Sequence, residues 1–193
     1  MNIVRTIYHL VRKPYYPTTA MADADFDHLC FMLERQMITA GFITKNGGKR
    51  ILEIGGGLVP LYEFIKDSSY SVYDCVDPVI TDEVSIDDRT HLYPVRIDEF
   101  EANNPQILNY DTIVLLGMGC TMGKESFDAT KRIVHNATTR CFILEYCTTW
   151  VNTIYSSVLT KNLRTGWKQQ TTVNLTYPGS YWHSKRRLEV WIR

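Results

Sequence analysis

Residues 50–60 read Arg-Ile-Leu-Glu-Ile-Gly-Gly-Gly-Leu-Val-Pro, a short β-prone run that breaks into three glycines. A helix-compatible stretch, Leu58 to Lys66, follows. Glycine in a strand-to-helix turn lets the backbone take positive φ and brings a ligand against bare peptide. The helix start beyond it adds unpaired N–H groups and a favourable dipole end. Asp77 closes the next β-prone run, 22 residues after Gly55. An acid at a strand end can accept both ribose hydroxyls of a nucleoside. Glycine turn and acid together predict a site for a nucleotide-like ligand.

These residues need strands that end side by side. Around them the chain alternates strand and helix signals. Residues 1–13 read as a short helix, followed by a Pro-punctuated turn through Tyr15, Tyr16 and Pro17. Phe26, Leu29, Cys30, Leu33 and Met37 recur at helical spacing and predict a helix over 22–40. Strands are expected at 51–55, 71–77, 92–97, 112–116 and 141–146, with helices at 58–66, 126–135 and 151–163. Two more strands, near 168–176 and 186–192, flank the turn sequence Tyr177-Pro178-Gly179-Ser180. Alternating β and α units imply a mostly parallel sheet covered on both faces, and a closing hairpin implies an antiparallel ending.

The 193 residues suit one domain with a full core, and 45% apolar against 22% charged residues is the profile of a globular chain. No run approaches the roughly 20 apolar residues of a membrane span. Arg5, Arg12 and Lys13 interrupt the N-terminal apolar stretch, so no signal-peptide core is read there, and we expect a cytoplasmic protein. Basic and acidic residues balance at 21 each, which gives no strong nucleic-acid signal and favours a small or neutral substrate. The local cluster Lys185-Arg186-Arg187 reads as the solvated face of a strand. The five cysteines lack CxxC spacing, and no His/Asp/Glu cluster has ligand spacing, so reduced thiols and no metal are expected.

Glu53-Ile-Gly55-Gly-Gly57 resembles the E/D-x-G-x-G signature of class I S-adenosylmethionine (AdoMet)-dependent methyltransferases. Asp77, the strand Tyr110 to Gly117 and the two-strand ending match that family in order. The resemblance implies a three-layer α/β/α domain over 1–193. Its sheet is mostly parallel and seven-stranded, with an antiparallel C-terminal strand. Short N-terminal helices over 1–48 would cover an AdoMet-binding core at 49–193. It further implies that Gly55 and Gly57 form the floor under the methionine part and ribose, with Gly56 between them also among the cofactor-binding residues. Glu53 would orient that loop or reach the ligand's amino group through water. Asp77 would hold the ribose hydroxyls. Asp98 would sit near the adenine amino group, with Ile97 or Phe100 flanking the ring, and Gly117 and Met118 would face the sulfonium. Asp98 reads equally as an acid in the first turn of a helix.

Methyl transfer from a sulfonium is an in-line displacement that alignment alone can accelerate, with a base added where the acceptor carries a proton. The loop after the fourth strand, Leu115-Leu-Gly-Met-Gly-Cys-Thr-Met-Gly-Lys124, has no [D/N/S]-P-P-[Y/F] signature and no acid at the strand end. Candidate acceptor-side groups are Tyr15, Tyr16, Glu145 and Tyr146, with His28, Tyr181 and His183 behind them; Cys120 reads as a spectator thiol. Three other readings stand beside methyl transfer to a small molecule. One is an AdoMet-binding partner or regulatory domain without catalysis. Another is an aminocarboxypropyl transferase, because Gly-Gly-Gly-Leu-Val-Pro-Leu resembles nicotianamine synthases. A nicotinamide-dependent dehydrogenase is disfavoured because Pro60 stands where the third fingerprint glycine belongs. So little chain remains to build an acceptor pocket that a partner chain, identical or different, has a place in the account.

Overall fold

Apolar residues on both sides of a strand require cover on both faces, and β1 (Arg50–Ile54) has it: Ile51, Leu52 and Ile54 are all buried. The computed structural model describes residues 26–46, 48–56, 60–66, 69–104, 109–118, 122–136, 138–148, 156–164, 166–176 and 185–193. Helix α1 (Phe26–Asn46) precedes β1, and α2 (Tyr62–Ile65) follows it. Then come β2 (Val72–Val76), β3 (Val84–Asp87), β4 (Thr90–Tyr93) and α3 (Ile97–Asn103). β5 (Thr112–Met118), α4 (Lys124–Val134) and β6 (Cys141–Cys147) lead to a helical stretch at 156–160 with a 3-10 turn, Lys161–Arg164. β7 (Lys168–Thr176) and β8 (Lys185–Ile192) finish the chain.

The eight strands form one sheet in the order β3-β4-β2-β1-β5-β6-β8-β7. β4, β2, β1, β5 and β6 run parallel, β8 is antiparallel to β6, and β7 pairs antiparallel with β8. Residues alternate between two cores. Ile51, Tyr73, Val114 and Ile143 pack against α1 and α2. Leu52, Val76, Ile113 and Phe142 pack against α3, α4 and the helix at 156–160. That is the expected three-layer α/β/α arrangement, with one strand more than the seven anticipated.

The extra strand is β3, whose residues alternate half-buried and exposed. It lies in the acid-rich stretch Thr81-Asp-Glu-Val-Ser-Ile-Asp-Asp-Arg89, which offers only two apolar residues. Its hairpin with β4 is turned by Asp87, whose Oδ1 accepts the Arg89 N–H at 2.8 Å. The strand expected at 92–97 ends at Tyr93, before Pro94, and Ile97 instead opens α3. Among the described residues no helix is long and apolar enough to cross a membrane.

Cys75 and Cys141 are buried, and desolvation pushes both thiols up, Cys141 to about 12. The thiolate is the reacting form. Neither is expected to react with iodoacetamide in the folded protein, and both should react after unfolding. Peptide mapping by mass spectrometry checks this, and stoichiometric native labelling of either would contradict the packing described.

Candidate functional site

The C-terminal end of β1 is where the chain order reverses: β2 and β4 lie on one side and β5 on the other. Crevices at such points take ligands in open α/β sheets. Gly55 stands there with φ +78°, and Gly117 ends the facing part of β5 with φ +67°. Side chains rarely adopt this left-handed backbone. A Cβ on Gly55 would also collide with the Leu116 carbonyl oxygen, so the two strand ends can approach only because it is glycine. The Gly55 N–H donates to the Val76 carbonyl at 3.1 Å, which fastens the glycine turn to the end of β2.

Between these ends lies a cavity of about 470 Å³, a size suited to a small molecule. Ile54 and Gly55 contribute from β1, Asp77, Pro78 and Val79 from the end of β2, and Leu115, Leu116 and Gly117 from β5. Arg96 and Ile97 at the start of α3, with Met122 and Ser126 around the start of α4, complete the wall. Asp77 is held at its backbone, where its N–H donates to the Tyr93 carbonyl at 3.1 Å. Its Oδ1 accepts the Val79 N–H at 2.8 Å. A mostly apolar wall with one carboxylate can hold a flat ring and a pair of hydroxyls.

The other expected residues fall behind or beside this wall. Asp98 sits in the first turn of α3, where Ser126 Oγ donates to Oδ1 at 2.5 Å and Arg96 Nη2 lies 2.8 Å from Oδ2. The Ser126 hydrogen bond, aided by Arg96, holds this carboxyl below its ordinary value. Asp98 thus joins two wall residues, from α3 and α4, without itself being in the wall. Phe100 is buried against the Tyr93 ring, and Ile97 is the one of the pair that reaches the cavity. Gly56 is buried beside Glu53 and Cys75. Gly57, Tyr15, Tyr16, Tyr181, His183 and Cys120 lie outside the described residues, as do the side chains of Met118 and His28.

Glu53 is fully buried. Its carboxylate accepts from Tyr73 Oη, from the Leu61 N–H at 2.9 Å and from Gln36 Nε2 at 3.3 Å. Burial raises its pKa against the lowering effect of these donors and of Arg35. The Leu61 bond reaches past the glycines, and the other two donors come from β2 and α1.

Glu145 is also fully buried, at the end of β6. Arg35 Nη1 lies 3.4 Å from its Oε2, Arg186 Nε and Nη2 bond to both oxygens, and the Gly117 N–H donates to Oε2 at 2.6 Å. Burial alone would raise this carboxyl, but Arg35 and Arg186 outweigh it and hold the pKa below its ordinary value. Arg186 therefore faces a buried acid instead of solvent, which corrects the reading of Lys185-Arg186-Arg187 as a solvated face. Tyr146 donates to Glu189 Oε1 at 2.8 Å, and burial raises its pKa. Neither Glu145 nor Tyr146 lies in the cavity wall.

Several structural residues escaped the sequence reading. Arg35 and Gln36 sit among core positions of α1 with no local motif, and Ser126 and Met122 reach the cavity only because α4 begins beside β5. No signal in the sequence marks them.

No protein-family model matches the chain, and no curated protein matches it in sequence. Solved structures do. Magnesium protoporphyrin IX methyltransferase (ChlM) from Synechocystis PCC 6803, solved with bound SAM, aligns with a TM-score of 0.63 at 12% identity, over 96% of each chain. A putative RNA methyltransferase from Pyrococcus horikoshii aligns over 100% of this chain and 97% of its own, with a TM-score of 0.59 at 9% identity. N-methyltransferase NodS from Bradyrhizobium japonicum WM9 aligns over 87% and 99%, with a TM-score of 0.55 at 13% identity. The architecture is Rossmann-like. Within that class, the chain has the class I methyltransferase fold.

Proposed function

We propose that this chain is an AdoMet-dependent methyltransferase acting on a small-molecule acceptor. One observation carries the reading: Gly55, Asp77 and Gly117 line the same cavity at the point where strand order reverses. The fit to AdoMet rests on the wall itself. Asp77 offers a carboxylate for two ribose hydroxyls. Val79 and Ile97 offer apolar surface for a purine ring. Gly55 and Gly117 offer bare backbone in the wall. When bound, AdoMet supplies an electrophilic methyl group. Asp77 would hold the ribose hydroxyls, Gly55 would lie under the methionine part, and Gly117 would face the sulfonium.

The acceptor class is supported by the balanced charge of the chain, 21 basic against 21 acidic residues. Proteins of this fold include enzymes named for magnesium protoporphyrin IX and others named for RNA, so fold leaves that choice open. A second reading, a cofactor-binding subunit without catalysis, is favoured by one arrangement. Glu145 and Tyr146, the described candidates for acid–base work, are occupied by buried partners outside the cavity wall. Methyl transfer without them would rely on alignment.

Incubation with methyl-labelled AdoMet, small-molecule extracts and total RNA separates these readings. Label is expected in a small-molecule fraction. Label in RNA would overturn the acceptor class, and label in neither, with the cofactor bound, would favour the non-catalytic subunit.

A further inference from the structure

One turn of α1 reaches the back of both glycine turns. Arg35 and Gln36 are adjacent in sequence and 5% and 0% exposed. Each donates to a different buried carboxylate. Arg35 goes to Glu145, whose Oε2 also accepts the Gly117 N–H. Gln36 goes to Glu53, which precedes the first glycine turn and accepts the N–H of Leu61 beyond it. Glu53 therefore ties the end of β1 to Leu61 at the start of α2. The two relays begin one residue apart and finish at the two turns that border the cavity.

Nothing about packing alone calls for these side chains. The neighbouring buried positions of α1 are the apolar Met32, Leu33, Ala40 and Ile43, and Thr39, whose hydroxyl is satisfied within the helix by the Arg35 carbonyl at 2.8 Å. A buried polar or charged group is unfavourable unless paired, and the pairing must hold its geometry. In α1 the polar pair lies opposite the ends of β1, β5 and β6, where the glycine turns need support. Arg186 adds a second guanidinium to Glu145 from β8, so that carboxylate is fixed from two sides and the Gly117 N–H has a stationary acceptor.

We propose that Arg35 and Gln36 are positioning residues: through Glu145 and Glu53 they hold both cavity turns in place, so that docking of α1 and ligand binding are coupled. The ligand part rests on the AdoMet reading above. Because both side chains belong to one helical turn, a shift of α1 loosens both glycine turns together. By reciprocity, a ligand that needs both turns in place strengthens the docking of α1.

Amide hydrogen exchange by NMR tests this at Gly117 and Leu61, with Ile143 in the middle of β6 as the internal reference. Arg35→Gln should speed exchange at Gly117 about tenfold more than at Ile143, and Arg35→Lys should recover much of the protection. Gln36→Met should do the same at Leu61. Each variant should also speed the other turn. S-adenosylhomocysteine binding by calorimetry should weaken about tenfold in Arg35→Gln and in Gln36→Met, and by less than the product of the two in the double variant. Equal acceleration at Gly117, Leu61 and Ile143 would mean general loosening and overturn the proposal. So would variants that affect only their own turn while their binding effects multiply. Selective exchange changes in a protein that binds no S-adenosylhomocysteine would uphold the positioning role and reject the cofactor reading.

Discussion

Gly55→Ala is expected to lower stability by about 2–5 kcal/mol, the sum of a left-handed backbone cost near 1–2 and an overpacking cost near 1–3. The backbone term follows from φ +78°. The packing term follows from the Leu116 carbonyl, which a Cβ would meet and which cannot rotate away as a side chain would. Gly117→Ala is the matched control. It has φ +67°, yet the nearest atom to an added Cβ is the Arg35 guanidinium at an ordinary 3.8 Å. It should therefore show the backbone term alone, about 1–2 kcal/mol. Urea denaturation measures both. Equal losses in the two variants would mean that β1 and β5 do not approach as closely as described.

Glu145→Ala should be comparably severe, at about 3–5 kcal/mol, the usual result of leaving a buried charge without its partner. Here two guanidiniums and the Gly117 N–H lose their shared acceptor. Glu145→Gln keeps an acceptor oxygen and removes the charge, so it should fall between. The pH dependence has a defined sign. Glu145 has a lowered pKa in the folded state, so its contribution is present above the unfolded carboxyl value and is lost as pH falls through the folded one. The gap between wild type and Glu145→Gln should therefore narrow in acid. Glu53 runs the other way: its pKa is raised by burial, so its unfavourable contribution shrinks once pH falls below that raised value and is gone below the unfolded carboxyl value. Urea midpoints across an acid series separate the two. A loss below about 1 kcal/mol for Glu145→Ala, typical of an exposed pair, would contradict the buried network.

The sequence reading reached furthest where a feature is set by its own few neighbours. Gly55 after a buried strand and Asp77 after the next one both line the cavity, and each leaves its mark within a few residues. The central parallel strands were legible as short apolar runs. β3 was not, since an edge strand needs little apolar surface and the alternation there is half hidden among acids. Pro94 marked the end of β4, but the leucine–isoleucine pattern across it suggested a longer strand. The Glu145 network was beyond reach for a different reason. Its Arg35 partner is 110 residues away, and only the folded sheet brings α1, β6 and β8 to one carboxylate. The same residue type at the same strand end suggested an acid–base role, whereas its partners give it a role in holding Gly117.

Calorimetric titration of S-adenosylhomocysteine into the wild-type protein and Asp77→Ala probes the cavity at the one carboxylate of its described wall. The wild type should bind with micromolar affinity, about −8 kcal/mol. In Asp77→Ala, loss of hydrogen bonds to a charged group should weaken binding by about 2–4 kcal/mol, roughly 30- to 1,000-fold. A folded wild-type protein that binds no S-adenosylhomocysteine, or an Asp77→Ala variant that binds it equally well, would contradict the assignment of this cavity.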